Sequence, residues 1–449
     1  MWRLELNRGL NLLEGLIQCG RQMQDLNYLA LIWCSVFISY WLANRTKLTP
    51  LLFYLVMGSI MVSIGLLPEQ STPFIAGFSE FGIILIMFAI GFEENTTVFL
   101  RSIKRAWGIA LFGALGPFLA SYFCALYLWQ QQNIAILVAL AMAATTVSLS
   151  MAVLKHENLH RTKAATGIMT SAVLDNVASL VLIAVLVPLV SGQSEPTLAE
   201  ILLITFKALL FFVVVMIFAI WIFPGNESQS SGRFMSFMRR FGLHDILSFS
   251  RGKVATLAIL TIAIIFGIMA HHFGLHPAVG AYMAGLIMRK EYFYHIKHGE
   301  KISTYKKTRK IMDDVAFAWI GPVFFVNLGA KIVLDSEILI SIVNTTLLLT
   351  LAIMLAQIVF ASLAARFTAN FNYTESLIIG FGMLGRAELA FVVMDIGYVH
   401  NSIFTTEVFY TLMFTAFLLN ISVPLLIKFW HPYFSGKKKV FWENKIVKD

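Results

Sequence analysis

Two polar residues, Asp175 and Asn176, lie near the middle of a long apolar segment that covers residues 164–191. If this segment crosses a membrane, an aspartate at its centre costs at least about 3 kcal/mol on insertion scales. Such a carboxylate must pair with a cationic side chain, bind a metal cation or carry a proton. A group that alternates between the last two states performs cation–proton exchange, whereas a buried salt bridge is the purely structural alternative.

A second polar cluster, Ala144 to Ser150, lies in the preceding apolar segment, residues 133–154. It contains Thr145 and Thr146, whose β-branched side chains weaken a helix. One interpretation is an ordinary helix in which the hydroxyls bond to carbonyls of the previous turn. The other is a broken helix that offers hydroxyl and carbonyl oxygens to an ion. The residues alone leave both open.

A third polar cluster runs from Gly380 to Glu388 and combines three glycines with Arg386. The glycines loosen the helix, and Arg386 and Glu388 place charged side chains beside the interruption. This combination again indicates a broken helix. Asp395 is seven residues after Glu388, so we expect the two carboxylates to share one helix face and a polar interior. Residues 380–385 also fit the dinucleotide pattern G-x-G-x-x-G. No strand precedes them, however, and we predict no nucleotide cofactor.

Lys331 ends a fourth polar region, residues 324–331. Its ammonium group could reach the outer membrane surface while its methylene groups stay in the apolar layer. Alternatively, it could be a counter-charge to Asp175. We retain Lys331 as a candidate charge-balancing residue together with Arg386 and Glu388.

Long apolar helices must position these residues, and the composition of the chain is apolar enough to form such helices. Of the 449 residues, 58% are apolar and 13% are charged, against about 45–50% and 25% in soluble domains. A membrane-spanning helix needs about 20 mostly apolar residues, so we predict an all-α polytopic membrane protein with about thirteen spans and exclude a soluble enzyme or a β-barrel. The predicted spans are residues 27–43, 50–67, 73–92, 105–129, 133–154, 164–191, 200–223, 254–271, 276–288, 312–332, 337–365, 374–399 and 405–430.

The net charge of +9 is distributed asymmetrically among the loops. Loops after odd-numbered spans are basic, whereas loops after even-numbered spans contain no Lys or Arg. The positive-inside rule then places the N-terminus outside and the tail, residues 431–449, in the cytoplasm. The basic loops therefore indicate topology rather than nucleic-acid binding. Residues 1–26 have apolar residues at helical spacing and are predicted to form an interfacial segment before the transmembrane domain, residues 27–430.

The two candidate broken helices are the fifth and twelfth spans. Because they are seven spans apart, they cross the membrane in opposite directions. Interrupted helices at corresponding positions of two inverted halves indicate the ion site of a transporter. An intramembrane enzyme would need a nucleophile and base or metal ligands at membrane depth, and we predict neither an enzyme nor a metal cofactor.

Five short segments resemble, in order, motifs of the monovalent cation:proton antiporter-2 family, which includes NapA-type sodium/proton and Kef-type potassium/proton antiporters. The resemblance covers about residues 30–430 and corresponds to the membrane domain of that family. The matching segments are Ile90–Glu93, Ala144–Val147, His276–Gly285, Pro322–Gly329 and Gly382–Glu388. The resemblance implies inverted repeats with two crossed broken helices, core and dimerisation subdomains, a homodimer in the inner (plasma) membrane, and exchange of Na⁺ or K⁺ for H⁺ without a cofactor.

One departure from the family pattern concerns the carrier site. Family members usually have an Asp-Asp, Asn-Asp or Gln-Asp pair here, and the second residue is the usual carrier, whereas this chain has Asp175 followed by Asn176. Neighbouring helix positions point about 100° apart. Either Asp175 has taken over the carrier role, or transport is altered, or the carrier site is substituted. We predict that Asp175 binds the ions with Asn176, Thr145 and Thr146; a transport-impaired sensor or scaffold is the alternative.

Overall fold

The structure, a computed structural model, contains two compact units. One unit contains residues 1–86 and 311–335, and the other contains residues 87–310 and 336–449. The described residues are 2–46, 49–93, 96–157, 159, 162–190, 198–218, 255–288, 293–297, 300–386 and 388–434.

Among the described residues, the first unit contains four complete helical elements and parts of two others. The complete ones are α1 (Trp2–Thr46), α2 (Pro50–Ser63), a π-helical turn (Val315–Trp319) and α12 (Gly321–Gly329), and the partial ones are the first part of α3 (Pro73–Glu93) and the end of α11 (Tyr305–Asp314). Residues 2–26 and the first predicted span thus form one continuous helix. The interfacial placement of residues 1–26 stays a prediction.

Glycines allow α2 and α12 to pack with their backbones in close contact. A Cβ atom on Gly58 would lie 2.1 Å from the carbonyl oxygen of Val326. A Cβ atom on Gly329 would lie 2.1 Å from the carbonyl oxygen of Leu55. Only glycine leaves space for such an approach.

The second unit contains the remaining elements. They are the end of α3, α4 (Thr96–Trp129), α5 (Gln132–Ala143), α6 (Val147–His156), α7 (Lys163–Val190), α8 (Leu198–Ile217), α9 (Ala255–His272), α10 (Pro277–Leu286), β1 (Tyr294–Lys297), β2 (Glu300–Ser303), α11 (Tyr305–Asp314, which continues into the first unit), α13 (Ser336–Ser341), α14 (Val343–Ala369), α15 (Tyr373–Gly382), α16 (Glu388–Asp395), a π-helical turn (Ile396–His400) and α17 (Thr406–Phe434).

The short strands β1 and β2 pair antiparallel and form a hairpin between α10 and α11. The sequence pattern predicted only helices and a basic loop here. The hairpin is too short and too polar to give an apolar pattern, so hydropathy could not reveal it. The predicted all-α class is confirmed, and this hairpin is a short addition between two helices.

The predicted spans agree with the observed helices. Eight described helical segments are long and apolar enough to cross a membrane, and they coincide with eight predicted spans. The other five predicted spans correspond to shorter or interrupted helices: α2, α5 with α6, α8, α10, and α15 with α16. The seventh predicted span, residues 200–223, extends beyond the described residues at its end.

Candidate functional site

The fifth predicted span is broken between α5 and α6. The helix ends at Ala143 and begins again at Val147. Between them Ala144 has φ −64° and ψ 124°, and Thr146 has φ −111° and ψ 135°. These angles are those of extended backbone, which suits the β-branched side chains of Thr145 and Thr146. The broken-helix interpretation is therefore confirmed, and the alternative of a regular helix is wrong.

Asp175 on α7 points at this break. Its carboxylate oxygen Oδ2 accepts hydrogen bonds from the backbone N–H of Thr145 at 3.0 Å and from the hydroxyl of Thr145 at 2.6 Å. The side chain is fully buried, and the second oxygen, Oδ1, has no hydrogen-bond partner within the described part of the chain. One carboxylate oxygen is thus fixed, and the other has its lone pairs available for a proton or a cation.

The twelfth predicted span is broken between α15 and α16. Helix α15 ends at Gly382, and α16 begins at Glu388. The side chain of Arg386, in the interruption, is fully buried. Its Nη1 donates to the carbonyl oxygens at the end of α15, and its Nη2 donates to Oε1 of Gln357 on α14 at 3.0 Å. The three carbonyl oxygens belong to Met383 at 3.1 Å and to Leu384 and Gly385, both at 3.2 Å.

The two breaks touch each other. The backbone N–H of Thr146 donates to the carbonyl oxygen of Gly385 at 3.1 Å. The hydroxyl of Ser150 on α6 donates to the carbonyl oxygen of Gly382. A Cβ atom on Gly385 would lie 2.7 Å from Cγ2 of Thr146, so this crossing favours glycine. The prediction of two crossed broken helices is confirmed.

Opposite charges lie at opposite helix ends in the crossing. Asp175 accepts from the N–H group of Thr145, just before α6, where the helix dipole is positive. Arg386 donates to carbonyl groups of residues 383–385, directly after the C-terminal end of α15, where the helix dipole is negative. The carboxylate and the guanidinium also attract each other electrostatically. Each helix break therefore stabilises one buried charge.

The remaining predicted site residues have different surroundings. Asn176 follows Asp175 in α7 and is buried, and Glu388 is the first residue of α16 and is half-buried. In the first unit, Lys331 donates from Nζ to the hydroxyl of Ser71 at 2.8 Å. Asp395 pairs with a histidine, and a polar interior shared with Glu388 stays a prediction. The distance from Oδ2 of Asp395 to Nε2 of His400 is 3.3 Å.

Two further residues of the crossing were not predicted from the sequence. Gln357 joins Arg386 to α4, because its Nε2 donates to the carbonyl oxygen of Gly113 at 2.8 Å. Asn420 on α17 exchanges two hydrogen bonds with the backbone of Arg386. Both are amide side chains inside long apolar helices and are almost fully buried. That contrast in polarity was the signal that could have identified them.

A bundle of membrane-spanning helices in which two broken helices cross beside a buried carboxylate is the architecture of a secondary transporter. The sequence model described as "Sodium/hydrogen exchanger, transmembrane" matches residues 33–430. The chain belongs to this family.

Relatives of known function are similar over most of the chain. A Na⁺/H⁺ antiporter of Enterococcus hirae is 25% identical over 91% of this chain and 98% of its own length. The Na⁺/H⁺-K⁺ antiporter GerN of Bacillus cereus is 24% identical over 87% of this chain and 92% of its own length. The structure of the sodium proton antiporter MjNhaP1 from Methanocaldococcus jannaschii superimposes with a TM-score of 0.69 at 18% identity, covering 93% of this chain and 99% of that one. This last similarity establishes the fold.

Proposed function

We propose that this protein exchanges a monovalent cation, Na⁺ or K⁺, for H⁺ across a membrane by alternating access. The observation that carries the proposal is the half-satisfied carboxylate of Asp175, fully buried at the crossing of two broken helices. Supporting evidence comes from the family and from the relatives, which are named as Na⁺/H⁺ and Na⁺/H⁺-K⁺ antiporters.

In this mechanism Asp175 binds the two ions in turn. With a proton on Oδ1 the carboxyl group is neutral, and its burial is tolerable. When the proton leaves, a hard alkali cation replaces it, because such cations prefer oxygen ligands. We assign Thr145, Thr146 and Asn176 as sources of further oxygen atoms. Proton and cation then compete for one site, which couples the two fluxes.

The roles of the charged neighbours follow from their contacts. Arg386 supplies fixed positive charge and, through its carbonyl partners, holds the end of α15 against the break in α5–α6. Glu388, at the start of α16, balances part of this charge. For Lys331, the hydrogen bond to Ser71 favours the surface-anchoring alternative over a counter-charge role.

The environment of the protein is also part of the proposal. We place residues 27–430, with core and dimerisation subdomains, across the plasma (inner) membrane as a homodimer. The N-terminus is outside and the tail, residues 431–449, is cytoplasmic. The basic loops after odd-numbered spans support this orientation. The tail lies outside the described residues beyond Phe434.

Everted membrane vesicles that report their internal pH test the proposal. The unmodified protein should release protons from acidified vesicles when Na⁺ or K⁺ is added, and Asp175→Asn should abolish this release. Asp395→Asn is the matched control, because Asp395 pairs with His400 and should leave exchange largely intact. The apparent cation affinity should weaken as the pH falls, since protons compete for the carboxylate.

Two outcomes would contradict the shared-site mechanism. Residual transport by Asp175→Asn would require another carrier, with Glu388 and Asp395 as the remaining candidates. An apparent cation affinity that is equal at pH 6 and pH 9 would exclude competition. No exchange by the correctly inserted unmodified protein would favour the sensor or scaffold alternative, for which Asn176 in place of a second aspartate is the supporting observation.

A further inference from the structure

We propose that Asn420 is a positioning residue that replaces the helical hydrogen-bond partners of Arg386 and thereby sets the geometry around Asp175. Its Oδ1 accepts from the backbone N–H of Arg386 at 2.8 Å. Its Nδ2 donates to the backbone carbonyl oxygen of the same residue, also at 2.8 Å. A single side chain thus satisfies both polar groups of one peptide residue in the broken segment.

The chemistry of the break explains why an amide is needed. Where a helix is interrupted, backbone N–H and C=O groups lose their intrahelical partners, and in an apolar environment each must find another. An amide side chain carries a donor and an acceptor side by side, which matches the N–H and C=O of one residue. The two contacts also fix the orientation of the amide, since only Oδ1 can accept from N–H and only Nδ2 can donate to C=O.

The surroundings of Asn420 indicate that this contact is specific. The side chain is 1% exposed, in an otherwise apolar part of α17. Without Arg386 as a partner, a buried amide here would destabilise the helix packing. A Cβ atom on the neighbouring Gly385 would lie 3.5 Å from Oδ1, so the amide packs directly against the break.

A continuous chain of contacts leads from Asn420 to the carboxylate. Asn420 holds the backbone of Arg386, and the preceding residue, Gly385, accepts from the N–H of Thr146 at 3.1 Å. The preceding residue on the other break, Thr145, donates its N–H and hydroxyl to Asp175. Since the contacts of Asn420 are with the backbone of Arg386, we infer that it acts through the position of the first break.

This inference rests on the proposed exchange at Asp175 and makes a distinct kinetic prediction. If Asn420 only stabilised the fold, its loss would lower the amount of protein and leave the half-saturation constant of each remaining molecule unchanged. If it positions Thr145, its loss must change how tightly Asp175 binds proton and cation. The half-saturation constant and the pH profile therefore separate the two roles.

The experiment compares Asn420→Leu and Asn420→Asp with Thr415→Val in vesicle exchange assays normalised to inserted protein. Thr415 lies on the same helix and is fully buried, and its hydroxyl has no partner in the described part of the chain, so it is a matched control. We expect Asn420→Leu to change the apparent cation half-saturation constant by about tenfold and to shift the pH profile, whereas Thr415→Val stays within about twofold.

Asn420→Asp keeps the size of the side chain and an acceptor for the N–H of Arg386, but ionised it cannot donate to the carbonyl. It also places a negative charge beside Arg386, so its pH profile must shift even if the leucine variant fails to insert. An unchanged half-saturation constant and pH profile in either correctly inserted Asn420 variant would overturn the proposal. The double variant with Thr145→Val should be non-additive, because both changes act through one contact chain.

A labelling measurement distinguishes failure of this inference from failure of the proposed function. Ala144→Cys, in a background without the native cysteines, reports access to the first break. Adding Asn420→Leu should accelerate its reaction with a small thiol reagent by at least about tenfold, whether or not the protein transports ions. An unchanged labelling rate would overturn the positioning role. Absence of exchange in the unmodified protein would overturn only the proposed function.

Discussion

The two helix breaks meet at one crossing, but they present opposite ends of the peptide group. The first break turns the N–H and hydroxyl of Thr145 towards the carboxylate of Asp175. The second break turns the carbonyl oxygens at the end of α15 towards the guanidinium of Arg386. Each break therefore binds the charge that its own peptide dipoles favour.

The two buried charges differ in how completely they are bound. Nη1 and Nη2 of Arg386 contact four acceptors, and within the described residues only Nε lacks a partner. Asp175 accepts hydrogen bonds through Oδ2 alone, and its Oδ1 has no hydrogen-bond partner in the described part of the chain. A nearly saturated group suits a fixed structural charge, whereas a half-saturated group can bind and release an ion. We therefore propose exchange at the first break and anchoring at the second.

The largest effect is expected from removing the anchoring charge. Arg386→Gln leaves three buried carbonyl groups without the Nη1 donor, and each buried polar group left unsatisfied costs about 1–3 kcal/mol. It also removes the positive charge that attracts the carboxylate of Asp175. We expect little stable protein by size-exclusion analysis of solubilised membranes, and no exchange.

Arg366→Gln is the control for this prediction. Arg366 donates to the single carbonyl oxygen of Phe371 and lies over the ring of Tyr373, where it is partly exposed. Its loss should be much better tolerated. Equal yields and melting temperatures for Arg386→Gln and the unmodified protein would contradict the anchoring role.

A smaller effect is expected from separating the two breaks. In Gly385→Ala the new methyl group would lie 2.7 Å from Cγ2 of Thr146, so one break must move, and such overpacking costs about 1–3 kcal/mol. We expect a lower melting temperature and slower exchange. Gly77→Ala is the control, since a Cβ atom there meets nothing within 4 Å. If both alanine variants behave alike, close contact between the breaks is not needed.

A smaller perturbation of the proposed exchange site is to remove one hydrogen-bond donor, the hydroxyl of Thr145, from the carboxylate of Asp175. Thr145→Val keeps the backbone N–H but loses the 2.6 Å hydroxyl contact, and a hydrogen bond to a charged group contributes about 1.5–3 kcal/mol. Because the ionised form of Asp175 loses this support, protons should compete more strongly with the cation, and the pH profile should move to higher pH. Thr145→Ser retains the hydroxyl and should stay close to the unmodified profile. A valine variant with the serine profile would show that the hydroxyl is dispensable.

For an imposed membrane potential, we expect no effect on the exchange rate. If Asp175 alone carries one proton or one monovalent cation, no net charge crosses the membrane. An imposed potential, worth about 2.3 kcal/mol per charge per 100 mV, should then leave the exchange rate in proteoliposomes unchanged. Asn176→Asp adds a second titratable group and is the variant in which potential dependence could appear. Current generated by the unmodified protein with its substrate cation would refute single-carboxylate exchange.

The sequence by itself determined the helices and the places where they break. Within the described residues, each predicted span coincides with a helix or an interrupted helix, because a membrane span requires a long apolar segment that the sequence shows directly. The paired threonines at 145–146 and the glycines at 380–385 marked the interruptions, since both are local properties of the backbone. Asp175 was identifiable for the same reason, as a charge within an apolar segment.

Only the tertiary structure decided which groups meet at the crossing. Thr145 reaches Asp175 across 30 residues, and Asn420 reaches Arg386 across 34. The same is true of Gln357, whose two partners lie 29 and 244 residues away in the chain. Hydropathy is a property of each residue by itself, whereas a buried hydrogen bond depends on how two helices far apart in the sequence pack together. The partners of the buried charges are therefore a property of the folded bundle rather than of any single segment.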